Sequence, residues 1–140
     1  MSRAEWQQLA ERWLVDAKAL LDAHRWSAAY YLAGYAVECG LKACVLVRVA
    51  ATPEVIFETK KFSESCWTHS VVELVKQAGL ESARAADASA NPRFREHWQL
   101  VKDWNENVRY QTVSHQKAKK LFAAVTDSPN GVMPWIRVRW

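Results

Sequence analysis

The 140-residue chain has only four Gly, four Pro and three Cys, and it lacks several motifs that would identify a class of enzyme. It has no Gly-rich loop of the kind that cradles phosphates, and no Gly-x-Ser-x-Gly elbow that would expose a nucleophilic serine. It has no Cys-x-x-Cys pair, so the sequence predicts no structural zinc site. We therefore expect neither a metal nor another cofactor.

Targeting and membrane signals are missing as well. Three Cys cannot all pair within one chain, and this usage is typical of the reducing cytoplasm. The N-terminus carries charge and has no apolar run, so we expect no signal peptide and a cytoplasmic location. Glu38 and Lys42 interrupt the most apolar stretch, residues 27–47, well short of the roughly 18 uninterrupted apolar residues of a membrane span. We expect no contact with a membrane.

Tryptophan is the residue that the chain has in excess, with eight copies and an apolar fraction of 50%. Because Trp is enriched at protein interfaces, the excess indicates either a self-association surface or a Trp-rich core. The formal net charge of +4 permits an anionic partner such as RNA but does not require one. A mixed, solvated surface explains the same charge.

Apolar residues recur at three- and four-residue steps along most of the chain, which is the spacing of amphipathic helices. With the capping residues Ser2, Ser70, Asn91 and Thr112, this pattern predicts helices over residues 3–23, 26–49, 70–79, from 92 onward, and 112–125. Residues 81–90 have helix propensity but little to bury, 50–65 form a connection, and 132–140 form a basic, aromatic tail. Because no alternating run has a partner strand, we predict one all-α domain, residues 1–140, built as an up-and-down bundle of four to five helices.

Residues 27–47 are apolar on almost every side when wound as a helix, so other helices or a second copy of the chain have to cover them. Glu38 and Lys42 stand four residues apart on this helix, a spacing at which they stabilise it modestly. A half-buried carboxylate needs a partner, and Arg109 is the candidate. We interpret Glu38 as a structural brace rather than a catalytic acid.

The segment from Arg109 to His115 is the best candidate for chemistry. If the chain breaks near Thr112 and a new helix starts there, the two side chains can converge. In the first turn of a helix the dipole disfavours imidazolium, which suits His115 to act as a general base. Arg109 would hold a phosphate bidentately. The pair would then deprotonate an RNA 2′-hydroxyl and stabilise the pentavalent phosphate without a metal. The alternative is a surface His and an Arg paired with Glu38 or Glu106.

Basic residues follow this segment along the chain. Lys117, Lys119 and Lys120 come just after His115, and the tail adds Arg137 and Arg139. They form either a basic rim for a phosphate backbone or a solvated helix face. Tyr110, Trp135 and Trp140 are candidates for base stacking or for the core.

Residues 30–43, YYLAGYAVECGLKA, resemble the second helix of HEPN-domain proteins (higher eukaryotes and prokaryotes nucleotide-binding). Thr68-His69, Trp104 with Arg109-Tyr110, and residues 130–136, NGVMPWI, are similar to a bacterial branch of that family. The resemblance implies a HEPN-like bundle of four or five helices that is usually a homodimer. It also implies a possible toxin component of a toxin–antitoxin or defence system, in some cases encoded beside a minimal nucleotidyltransferase that serves as antitoxin.

Active members of the family are metal-independent endoribonucleases with an Arg-x(4–6)-His motif gathered at the dimer interface. The resemblance therefore implies that Arg109 and His115 are catalytic, with Glu38, Tyr110 and Lys117 in support. In active members the residue after Arg is usually polar, and Tyr110 departs from that pattern. Members without a good motif are non-catalytic modules that bind a partner protein or a nucleotide, which is the alternative function for this chain.

Overall fold

The computed structural model describes all residues, 1–140, as eight α-helices and two 3₁₀-helices with no strand. The α-helices are α1 Arg3–Asp22, α2 Trp26–Ala51, α3 Phe62–Cys66, α4 Val71–Gln77, α5 Glu81–Ala90, α6 Pro92–Lys102, α7 His115–Thr126 and α8 Val132–Arg137. The 3₁₀-helices are Pro53–Phe57 and Glu106–Tyr110. The all-α prediction is confirmed, but four to five helices is too low a number.

Side-chain caps begin several of the helices at the predicted residues. The Ser2 hydroxyl accepts from the Glu5 amide while the Glu5 carboxylate accepts from the Ser2 amide, which completes a capping box. Asn91 likewise accepts from the amides of the first turn of α6. The prediction that Thr112 caps α7 is wrong, because the chain stays non-helical through Ser114. The Ser114 hydroxyl accepts from the Lys117 amide at 3.2 Å.

The helix missed at the C-terminus is α8. We predicted a basic, aromatic tail there, but Val132, Met133 and Ile136 are fully buried. They lie one, two and five residues after Gly131, which is the spacing of a helix with one apolar face. Arg137 and Arg139 remain outside the core.

Helix α2 runs through the middle of the fold. Half of it is buried, 13 of its 26 residues, and it packs against α1, α4, α7, α8 and both 3₁₀-helices. The cover that its apolar surface requires is therefore supplied largely by the same chain. No helix combines the length and the apolar character that crossing a bilayer requires.

The aromatic residues divide between core and surface. Trp98, Trp104 and Trp135 are buried, and most of the remaining tryptophans pack partly buried against the core. Trp67 is the exception, 80% exposed. In the connection that follows α2, Phe62 is buried while Phe57 is 85% exposed, so only one of these two phenylalanines pins that segment to the bundle.

Candidate functional site

Glu38 is fully buried and its carboxylate is paired on both oxygens. Lys42 Nζ donates to Oε1 at 2.7 Å, and His69 Nδ1 lies 3.1 Å from Oε1 and 3.0 Å from Oε2. The predicted partner, Arg109, is wrong. Arg109 meets α2 beside Tyr31, two turns before Glu38, which places it about 10 Å away along the helix axis.

The surroundings of this carboxylate are those of a buried, compensated ion pair. The Lys42 side chain is only 14% exposed, and its ammonium also lies 5.1 Å from the centre of the Trp6 ring. Burial, with the Glu38 carboxylate adding to it, raises the pKa of Cys39 to about 12. A buried carboxylate requires pairing of the kind that Lys42 and His69 give Glu38. The sequence indicated that Glu38 needs a partner, but we predicted Arg109 where the structure has His69.

Arg109 lies at the end of the second 3₁₀-helix, Glu106–Tyr110, and its side chain is exposed. Its guanidinium carbon stands 4.8 Å from the centre of the Tyr110 ring. Hydrogen bonding to the Tyr110 phenol, with a smaller contribution from Tyr31, raises the pKa of Arg109. No carboxylate forms an ion pair with Arg109, so the predicted alternative of a pair with Glu38 or Glu106 is wrong.

His115 is the first residue of α7, as the sequence predicted for its place in the first turn. Its ring stacks on Trp26 with the ring centres 4.1 Å apart and the planes 21° apart. Trp26 also stacks with His24, at 5.0 Å and 23°. His24 adopts a left-handed backbone conformation with φ of 61°, which is uncommon for a residue other than glycine.

These three rings line one groove together with Lys18, Asp22 and Lys119. Lys18 is paired with one oxygen of Asp22 at 2.5 Å. The groove therefore presents the Lys119 ammonium, the two imidazoles and the second oxygen of the Asp22 carboxylate. The sequence gives no signal for Trp26 or His24 here, because the stacking of Trp26 on His115 depends on how α7 is rotated against α2, and His24 reaches the groove through Trp26.

The break before α7 does not bring Arg109 and His115 together within one chain. His115 meets α2 at Trp26 and Arg109 meets it near Tyr31. Residues five apart on an α-helix point about 140° away from each other. The two candidate catalytic side chains therefore lie on different sides of α2.

The predicted basic rim is limited to α7. Arg137 is paired with Glu11 at 2.6 Å, and Arg139 with Asp87 at 3.0 Å, so neither is free to hold a phosphate backbone. Lys117 lies with its ammonium 5.2 Å from the centre of the Tyr30 ring. Tyr110 is 76% exposed, whereas Trp135 belongs to the core.

No family model, curated protein or solved structure matches this chain. No three His, Cys, Asp or Glu side chains lie close enough together to hold a metal ion.

Proposed function

We propose that the protein is a HEPN-type, metal-independent endoribonuclease that acts as a homodimer, with His115 as general base and Arg109 as phosphate clamp. The observation that carries the proposal is the state of these two side chains. Both are exposed, and neither is engaged by a carboxylate, so each is available to a substrate.

The chemistry requires only these two groups and water. The His115 imidazole, in the first turn of α7, acts as general base and accepts the proton of an RNA 2′-hydroxyl. The 2′-oxygen then forms a bond to phosphorus while the bond to the 5′-oxygen breaks. The departing 5′-oxygen takes a proton from water or from an imidazolium. Arg109 stabilises the charge that builds on the non-bridging phosphate oxygens as the phosphorus becomes pentavalent.

The dimer resolves the separation of the two groups in one chain. Because Arg109 and His115 lie on different sides of α2, a single subunit does not hold a complete site. A two-fold axis that places Arg109 against His115 of the partner subunit creates two composite sites per dimer. This axis therefore lies on the face of the bundle where Arg109 and the partner's His115 can meet.

The experiment is an RNA cleavage assay in the presence of a chelator. His115→Ala and Arg109→Ala should each abolish cleavage. Mixing the two inactive variants should restore about a quarter of the wild-type activity, because half of the dimers are mixed and each holds one intact site out of two. Lys60→Gln, a charge change outside the site, serves as the control. Cleavage that survives in His115→Ala, or that requires a metal, overturns the proposal.

A second candidate function is favoured by Tyr110. Its exposed ring, with the guanidinium of Arg109 over it, forms a flat platform of the kind on which bases stack. On this alternative the protein is a non-catalytic module that binds a nucleotide or a partner, such as a minimal nucleotidyltransferase. It predicts binding without cleavage, retained in His115→Ala and lost in Tyr110→Ala.

A further inference from the structure

A second groove, of about 310 Å³, borders the first turn of α7. It is lined by Tyr30 of α2, by Ser114, the residue that caps α7, and by Gln116, Lys117 and Lys120 of α7. His115 lies between Ser114 and Gln116 in the chain, but its ring is in the groove of Trp26. The first turn of α7 thus separates two grooves, and the function proposed above uses only one of them.

Tyr30 is the unusual member of this groove. The residue is only 3% exposed, and its hydroxyl has no hydrogen-bond partner in the chain, yet it is not among the fully buried unpaired polar atoms, so its small accessible surface opens on the groove that Tyr30 lines. A hydroxyl without an acceptor in the chain is left to bond to solvent or to a ligand in the groove. Burial, and then the nearby Asp103 carboxylate, raise the pKa of Tyr30, so the phenol stays a protonated donor. It is a donor that points into a groove and has no acceptor in the chain.

Positive charge and free amides surround the same space. The Lys117 ammonium is held against the Tyr30 ring, and Lys120 follows one turn later on α7. Ser114 caps only the Lys117 amide. The backbone amides of His115 and Gln116, the first two of the helix, have no acceptor in the chain. The amides and the helix dipole at such an end favour an anion.

We propose that this groove binds a phosphate group, held by the Tyr30 hydroxyl, the Lys117 and Lys120 ammonium groups and the first amides of α7. Asp103, which also lines the groove, repels a free dianion but accepts a hydrogen bond from a sugar hydroxyl. The ligand class that satisfies all of these groups is a phosphate carried on a ribose. Resting on the function proposed above, this would be an RNA phosphate next to the one that His115 attacks.

The experiment follows the amides of Gln116 and Lys117 by NMR on isotope-labelled full-length protein. It titrates inorganic phosphate and, separately, a short 2′-O-methyl RNA that cannot be cleaved through its 2′-oxygen. Lys117→Gln and Lys120→Gln should each weaken phosphate binding about tenfold, the scale of a charged hydrogen bond. Tyr30→Phe, which keeps the ring, should weaken it severalfold. Asp103→Asn should strengthen the binding of inorganic phosphate.

Lys119→Gln is the matched control, because Lys119 lies on the same helix and carries the same charge but does not line this groove. A loss in Lys119→Gln equal to that in Lys117→Gln would mean diffuse attraction to α7 and would overturn the site, as would no shift of either amide. Binding of phosphate but not of the oligonucleotide would keep the site and overturn RNA as its ligand. Phosphate binding that depends on Tyr30, in a protein that cleaves no RNA, would uphold the site and contradict the nuclease.

Discussion

Gly34 of α2 and the indole of Trp104 are in direct contact, with no room for a side chain on the glycine. A Cβ built on Gly34 would lie 2.3 Å from three atoms of the Trp104 ring. Trp104 is 2% exposed, and its Nε1 is buried without a hydrogen-bond partner. Because the indole is enclosed, it cannot move aside without opening the core, and this contact sets how closely α2 approaches the chain after α6.

Gly34→Ala should lower the free energy of unfolding by about 3 kcal/mol, the upper part of the usual range for overpacked cores. Urea denaturation followed by circular dichroism measures the change. Gly40→Ala is the matched control on the same helix, since its Cβ would meet a single atom of Ile136, Cγ2, at 3.0 Å, which a shift of a few tenths of an ångström relieves. The gain in helix propensity, about 1 kcal/mol, should offset most of the destabilisation that this contact causes. Equal losses in the two variants would contradict the assignment of Gly34.

The buried carboxylate of Glu38 should make Lys42 important for stability. Lys42→Met leaves Glu38 with His69 alone and should lower the free energy of unfolding by about 3 kcal/mol, since breaking a buried ion pair leaves an uncompensated charge. Lys18→Met breaks an ion pair of the same spacing whose side chains are 56% and 63% exposed, and it should change stability by less than about 0.5 kcal/mol. Similar effects of the two variants would argue against a buried brace.

The start of α7 can be tested with neighbouring hydroxyl residues. Ser114→Ala removes the acceptor of the Lys117 amide and should cost about 1 kcal/mol of stability, as the loss of an N-cap usually does. Thr112→Ala, two residues earlier, should be close to neutral because its hydroxyl caps no helix. Thermal melting of the two variants side by side distinguishes the structural cap from the one that the sequence alone suggested.

Thiol labelling should distinguish the three cysteines. In the native protein at mildly alkaline pH, an aromatic disulfide reagent should modify Cys66, which is only partly buried, and leave Cys39 and Cys44 unmodified. Both should react once denaturant unfolds the chain. Rapid labelling of all three in the native state would mean that α2 is less well covered than described.

The same burial predicts how stability depends on alkaline pH. Burial raises the pKa of both Cys39 and Cys44 from 9.0 to about 12. A raised pKa in the folded state means that stability is fully present below pH 9.0 and is lost as the pH rises towards 12, because the unfolded chain releases these protons first. Cys39→Ala with Cys44→Ala should flatten this fall, and urea midpoints measured across the range would show it. An unchanged slope would mean that the thiols do not cause it.

Local signals carried most of the helix predictions. Ser2, Ser70 and Asn91 cap their helices as expected because a cap depends only on the residues beside it. The same local reasoning failed at Thr112, where two hydroxyl residues compete and the one nearer to α7 wins. The residues of α8 were misread because the aromatic and basic positions concealed the helical spacing of the buried ones.

The site could be predicted only in part, because its contacts are long-range. His115 was correctly expected in the first turn of α7. Its stacking on Trp26, however, joins the first residue of α7 to the first residue of α2, far apart in the sequence. The choice of His69 rather than Arg109 by Glu38 likewise depends on where along α2 each segment docks. Periodicity gives the face of a helix that is buried, but it does not give the height at which another segment meets it.

His24 raises a question about the turn that it occupies between α1 and α2. Its φ of 61° matches the 71° of Gly79 at the end of α4, where the chain uses the residue that suits this conformation. A left-handed backbone disfavours a residue other than glycine by about 1–2 kcal/mol. If the stack on Trp26 stabilises the fold by the same amount, His24→Gly should leave the free energy of unfolding unchanged. The balance between the backbone strain and the stacking energy decides whether the His24 imidazole contributes to the stability of the fold. If His24→Gly makes the protein more stable, the strained His24 serves a ligand that binds in the groove rather than the fold.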